Sequence, residues 1–238
     1  KQSSLRGTLF SFVLKISRKT AIFTPMEIFS QIVINSIIAG SIYALIALGF
    51  NLIYGATRFF NLAHGVMAVI GGYAVFYLYK IHDLNIFVSI AAGILMAGFV
   101  GWMLDRFVYL PLRLRKASNM VQLVASLGVF TALQALVAIL FSSQFQVLSK
   151  SYTSERVYTI LGGVITGTQL IIFASGLIIM SGLALVLKKT DFGKAVRAVS
   201  DDEEVAKMVG INTNAIIGKV FFIGSAIAGL AGILVGFD

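Results

Sequence analysis

The polar side chains in this sequence that could do chemistry sit inside, or at the mouths of, long hydrophobic runs. Phe60–Gly65, FNLAHG, sets Asn61 and His64 three residues apart where one run begins. Asn61 is suited to cap a helix N-terminus. His64 can line a polar path or hydrogen-bond a neighbouring helix, because an ionisable group within a membrane segment marks a functional position by default. Further along, Gln122, Ser126 and Gln134 form a polar stripe on a loosely shared helix face. That stripe can line a solute path, or it can make interhelical hydrogen bonds worth about 1 kcal/mol each. The chemistry on offer is transient hydrogen bonding to a passing solute, with Asn51, Asn61, His64, Gln122 and Ser126 as its candidates.

Bond-making chemistry finds no support. His64 and His82 are the only histidines and lie on different segments, and there is no cysteine. No thiolate site, paired-histidine metal site or disulfide is expected. The chain has neither a GxxxxGK[ST] phosphate loop nor a nucleophile elbow. It is therefore expected to bind no metal or cofactor and to hydrolyse no nucleotide, so uphill transport would draw on a partner or an ion gradient. A self-sufficient secondary transporter or channel would need an ion-coupling group within the bilayer. Asp105 and Arg106, the adjacent opposite charges in a span, read more simply as a helix terminus beside the basic cluster Arg113, Arg115 and Lys116.

The elements that position these residues follow from composition. With 58% hydrophobic residues, 12% charged and two prolines, the chain reads as an all-α, polytopic integral membrane protein. Its apolar runs approach the roughly 20 residues an α-helix needs to cross the hydrocarbon layer, and in lipid the backbone must satisfy its own hydrogen bonds, which favours helices. Six spans are expected: about 28–53, 61–79, 86–108, 120–141, 168–187 and 215–237, with Pro111 breaking the third helix. Gly224, Gly229, Gly232 and Gly236 in the last span, including a GxxxG at Gly232–Gly236, predict close helix packing. The net charge of +9 implies no nucleic-acid partner, since the basic residues lie mainly in loops and at the N-terminus. Arg58, the 113–116 cluster and the 188–207 segment fall on one side by alternation, which the positive-inside rule makes cytoplasmic. Met26 is then outside. Residues 1–25, with five basic and no acidic residues, conflict with that parity; they read as a segment lying on membrane lipid, or as an extension upstream of a true start at Met26.

One stretch is too polar for lipid. Lys188–Asn212, within a segment taken as 188–214, holds five of the ten acidic residues: Asp191, Asp201, Asp202, Glu203 and Glu204. Two short amphipathic helices are predicted in it. The first puts Phe192, Val196 and Val199 on one face. The second opens on Ser200 with Glu203 three residues on, the spacing of a capping box. It carries Val205, Met208 and Val209 on one side and stops at Gly210, which suits a left-handed C-cap. Such a pair reads as a docking surface for a soluble partner, or as an ordinary solvated loop with some helicity.

Three blocks carry a family resemblance: GSIYALIALGFNLIYGATRFFNLAHGVMAVIGGY, then YLPLR, then FGKAVRAVSDDEEVAKMVGIN followed by FFIGSAIAGLAGILVG. In this order they resemble permeases of branched-chain amino-acid ABC importers, over nearly everything from Met26 to Gly236. The resemblance implies a permease domain over 26–238 in a bacterial or archaeal inner membrane. It also implies ATPase subunits that use the ATP, a second permease subunit (copy or paralogue), and a periplasmic or lipid-anchored solute-binding protein outside. Phe192–Asn212 then corresponds to the segment that docks on the ATPase, with Phe192, Gly193, Val196, Arg197, Val199, Asp201, Glu204, Val205, Met208 and Gly210 as coupling residues. Phe192, Val196 and Val199 are the expected anchor, and Asp201–Glu204 offer charge to a basic groove. The chain departs from the pattern at Val66, where many relatives carry an acidic residue after AHG, which keeps urea and short-amide importers as an alternative. Relatives usually continue through further spans after GLAG, so the sequence is expected to be C-terminally truncated. A non-transporting membrane subunit is a further alternative.

Overall fold

The computed structural model describes residues 25–141, 148, 157–160 and 162–237. The expectations for the basic N-terminal segment lie outside these residues.

Helix α1 runs Pro25–Thr57, α2 runs His64–Val75, and α3 runs Ile86–Leu104. Helix α2 continues in wider π-helical turns through Phe76–Ile81, and α3 does so through Asp105–Tyr109 before a last α-helical turn, Leu110–Leu114. Helix α4 spans Asn119–Phe141. A hairpin of β1 (Val157–Ile160) and β2 (Gly163–Thr166) follows, then α5 (Gly167–Lys189), α6 (Asp191–Asp201), α7 (Glu203–Met208) and α8 (Thr213–Phe237). Five helical segments among the described residues are long and apolar enough to cross a membrane: those within 26–57, 86–114, 119–141, 167–189 and 213–237. The sixth expected span is present as the shorter α2 and its π-helical continuation, which ends beside Lys80.

One local expectation is corrected. Pro111 does not break α3; it sits in the first turn of Leu110–Leu114, after the π-helical stretch. A proline withholds one N–H and crowds the preceding turn, and a π-bulge is a way to carry a helix past such a gap. Beyond the expected spans, the described part of the 142–167 connection holds the β1–β2 hairpin. Its hairpin feeds α5 through a capping box, in which Thr166 Oγ1 accepts from Gln169 N at 3.2 Å and Gln169 Oε1 accepts from Thr166 N at 3.1 Å. The T-x-x-Q spacing was the available signal.

Helix α8 forms the spine, packed along α1, α2 and α3. More than half of its most apolar stretch is buried (56%), against 6% for α4 at the periphery. Small residues set the approach. Gly224 faces the carbonyl of Gly49, Gly229 faces Gly71 and Ala97, and Gly232 lies on the backbone of Ala68, so a side chain at any of these would collide. Gly236 meets Leu148, whose N–H donates to its carbonyl at 2.9 Å. One end of the bundle gathers Arg58, the Asp105–Arg113 pair, Asn119 and α6–α7, so the basic loops do converge. The other end carries the hairpin, where Gln31 bonds both the N–H and the C=O of Val164.

Candidate functional site

Helix α6 starts where α5 stops. Thr190 accepts from Gly193 N at 3.1 Å as an N-cap, and Asp191 in the first turn complements the helix dipole. The bend is tight because residue 193 has no side chain: a Cβ there would run into the backbone of Leu187. The Arg197 guanidinium donates to the Leu187 carbonyl and ties the same corner. Val196 and Val199 are 5% and 3% exposed and belong to the main core, with Ala198 and the half-buried Phe192 packed against it. Phe192 also lines a groove with Phe99, Trp102, Phe222, Ile223 and Lys219. The face expected to anchor a partner is thus turned inward, onto the protein's own helices.

Helix α7 puts Ala206 into the same core but turns its larger apolar side chains outward. Its N-cap is Asp202, whose carboxylate accepts from Glu204 N at 2.8 Å and Val205 N at 3.0 Å. The capping box expected from Ser200 and Glu203 is therefore corrected. Ser200 completes the last turn of α6, and Glu203 pairs with Lys207 at 2.6 Å and accepts from Thr213 Oγ1 at 3.3 Å. The shift follows from Asp202 being extended (φ −153°) and able to bond two orphan N–H groups at once. Gly210 takes φ 85° just past the helix end. Of the exposed residues, Val205 is 49%, Met208 77% and Val209 70% exposed, while Asp201 and Glu204 are also open to solvent. An apolar patch rimmed by acids stands free at the tip of the segment.

The polar candidates within the bundle partly converge. Asn61 lies three residues ahead of α2 and caps a preceding turn instead of the helix. Its Oδ1 accepts from Ala63 N at 3.1 Å and from the Tyr109 hydroxyl at 2.9 Å. His64, 2% exposed, sets Nε2 3.2 Å from the Ile46 carbonyl of α1. Ser126 Oγ accepts from Leu62 N at 3.1 Å, and Gln122 Nε2 donates to the Ala117 carbonyl at 3.3 Å. Two buried atoms in this group, His64 Nδ1 and Gln122 Oε1, have no partner among the described residues. Asn51 is exposed on α1 and Gln134 on α4, so neither joins the cluster. A separate cleft of about 200 Å³ between α1 and α5 is lined by small residues, Gly40, Ser41, Ala44 and Gly176, together with larger apolar ones.

Sequence reasoning passed over two groups. Asp105, 2% exposed, pairs with Arg113 at 2.8 Å rather than with its neighbour Arg106. The signal was an eight-residue spacing, which sets two positions on one helix face about two turns apart, within reach of a long Arg side chain. Tyr109 is fully buried among Phe59 and Phe221 with its hydroxyl on Asn61, and nothing local in the sequence sets it apart from the other aromatics. No cluster of metal-ligating residues occurs among the described residues.

A multi-pass helical membrane protein with a polar interior cluster and an extramembrane helical pair is the class this architecture defines. Residues 32–238 match the family described as branched-chain amino acid transport system / permease component, and the chain belongs to that family. It is 30% identical over 219 residues to the high-affinity branched-chain amino acid transport system permease protein BraD of Pseudomonas aeruginosa, covering 87% of this chain and 71% of that protein. It is 31% identical to LivH of Salmonella typhimurium over 87% and 70% of the two chains. A probable branched-chain permease of Methanocaldococcus jannaschii is 28% identical over 85% and 65%. No solved structure matches. The chain is a transport subunit of the permease type in the inner membrane.

Proposed function

We propose that this chain forms the translocation path of an ATP-binding-cassette importer for branched-chain amino acids. ATP is used by soluble ATPase subunits docked on the α6–α7 side, a second permease subunit completes the path, and a binding protein delivers solute from outside. The observation that carries the docking reading is the exposed apolar tip of α7, beside acids able to meet a basic groove. Val205, Met208 and Val209 make the contact. Val196 and Val199 transmit it, because their burial in the core makes α6 move with the bundle. A conformational change follows only if the docked partner binds the inward- and outward-facing states unequally. Along the path, the unpartnered atoms of His64 and Gln122 suit brief hydrogen bonds to a zwitterion that would otherwise strand its charges in lipid.

The test is co-purification and uptake. The double substitution Met208→Asp with Val209→Asp should leave the permease folded and inserted while releasing the ATPase subunit and stopping ATP-dependent leucine uptake. Retention of the ATPase at wild-type stoichiometry would remove α7 as the docking tip. Uptake of urea in place of leucine by the intact complex would reassign the solute. For the path, a well-expressed His64→Ala complex should dock its ATPase normally and transport less; normal transport would take His64 out of the path.

A further inference from the structure

The connection between α1 and α2 is fastened at both ends, and its first residue reaches the segment just described. Arg58 takes a left-handed backbone conformation (φ 56°), uncommon for a side chain other than Asn, Asp or His. Its N–H closes α1 on the Tyr54 carbonyl at 2.8 Å, and its own carbonyl accepts from Asn119 Nδ2 at the start of α4, 3.2 Å away. That conformation sends the side chain across to α6, where Nη2 donates to the Ser200 carbonyl at 2.6 Å. Ser200 belongs to the last turn of α6, whose carbonyls lack intrahelical partners and carry the negative end of the helix dipole. A guanidinium is the side chain best suited to hold such a carbonyl without losing its charge.

Beyond Arg58 the connection is tied to the bundle by packing and hydrogen bonds. Phe59, 1% exposed, packs on Tyr109 and Phe221 at ring separations of 5.0 and 6.4 Å. The backbone flanking Asn61 is held by Ser126, and Asn61 itself by Tyr109, up to the point where α2 begins at His64. A shift of the end of α6 therefore has a short, fully bonded route to the polar cluster.

We propose that Arg58 is a positioning residue that couples the docking segment to the mouth of α2, so that work done on α6–α7 moves the His64 end of the path. This rests on the importer reading above. Arg58 touches neither nucleotide nor solute; it acts through Ser200 and the linker. Contiguity alone does not establish coupling, so the test measures coupling itself.

The complex of this permease with its ATPase subunits, reconstituted in proteoliposomes with its binding protein, would be scored for ATP hydrolysis and leucine uptake on the same vesicles. Arg58→Asn keeps a residue that tolerates the left-handed conformation but cannot reach Ser200. It should co-purify with the ATPase as wild type does, hydrolyse ATP at a similar rate, and deliver about five-fold less leucine per ATP or worse. Arg58→Lys, which keeps a cationic donor, should recover most of the yield. Unchanged leucine per ATP in Arg58→Asn would overturn the proposal. So would a parallel loss of expression, docking and uptake that Arg58→Lys does not rescue, since that pattern belongs to a purely structural residue. A wild-type complex with no ATP-dependent uptake would instead defeat the importer reading on which the proposal stands.

Discussion

Helices α6 and α7 come from one charged segment, are separated by the single residue Asp202, and each carries an apolar face beside acidic residues. Yet α6 buries Val196 and Val199 in the bundle, whereas α7 buries only Ala206 and holds Val205 and Met208 out to solvent. The difference teaches that amphipathicity reports a face that wants cover without saying what covers it. A close approach decides the matter for α6: the missing side chain at Gly193 lets the helix fold back onto Leu187, which carries Val196 and Val199 under the ends of α1 and α8. Helix α7 follows an extended Asp202, has no such corner, and turns its larger apolar side chains away from the bundle.

Substitutions should widen or erase that contrast. Gly193→Val is expected to have the largest effect, because its side chain meets backbone that cannot yield; monodisperse protein should be lost in detergent, and a wild-type elution profile would show that the corner is not needed. Val196→Asp buries a carboxylate with no partner, which should cost about 4 kcal/mol. It should lower the midpoint of thermal unfolding before any effect on docking can be read, so a folded Val196→Asp permease that merely fails to bind its ATPase would return α6 to the role of anchor. Asp202→Ala removes the N-cap of α7, at about 1 kcal/mol. Hydrogen exchange should quicken at Glu204 and Val205, the two amides it caps, while α6 stays protected. Lys194→Ala breaks an exposed pair with Asp191, 66% and 97% open at its two side chains. It should shift stability by less than about 0.5 kcal/mol, and a larger loss in unfolding would mean that α6 is more dependent on its outer face than its burial implies.

Much of this was legible in the residues. Apolar runs and the cluster of acids at 191–204 were enough for an all-α membrane protein with one extramembrane helical segment, because hydrocarbon imposes length and polarity on any chain that crosses it. The local stop at Gly210 was legible for a similar reason, since few other residues accept its φ. That Arg58, Arg113 and the 188–207 segment share one end of the bundle could be read from the alternation of the spans.

What needed the tertiary structure was which side chain or backbone of a distant element each residue meets. Gly128 on α4 and Gly232 on α8 are both glycines within apolar helices, but a side chain at the first would meet open space and at the second the backbone of Ala68. Nothing local separates them, because the distinction is made by a second helix far away in sequence. Asn61 shows the same limit. As a helix cap it satisfied local rules, yet Tyr109, 48 residues on, offered its hydroxyl and the helix began three residues later. Arg58 was legible as a charge that sets topology, and only the fold placed its guanidinium on Ser200, 142 residues away. Period and composition are properties of one segment, whereas a hydrogen bond or a close contact between helices is a property of two, fixed only when the bundle packs.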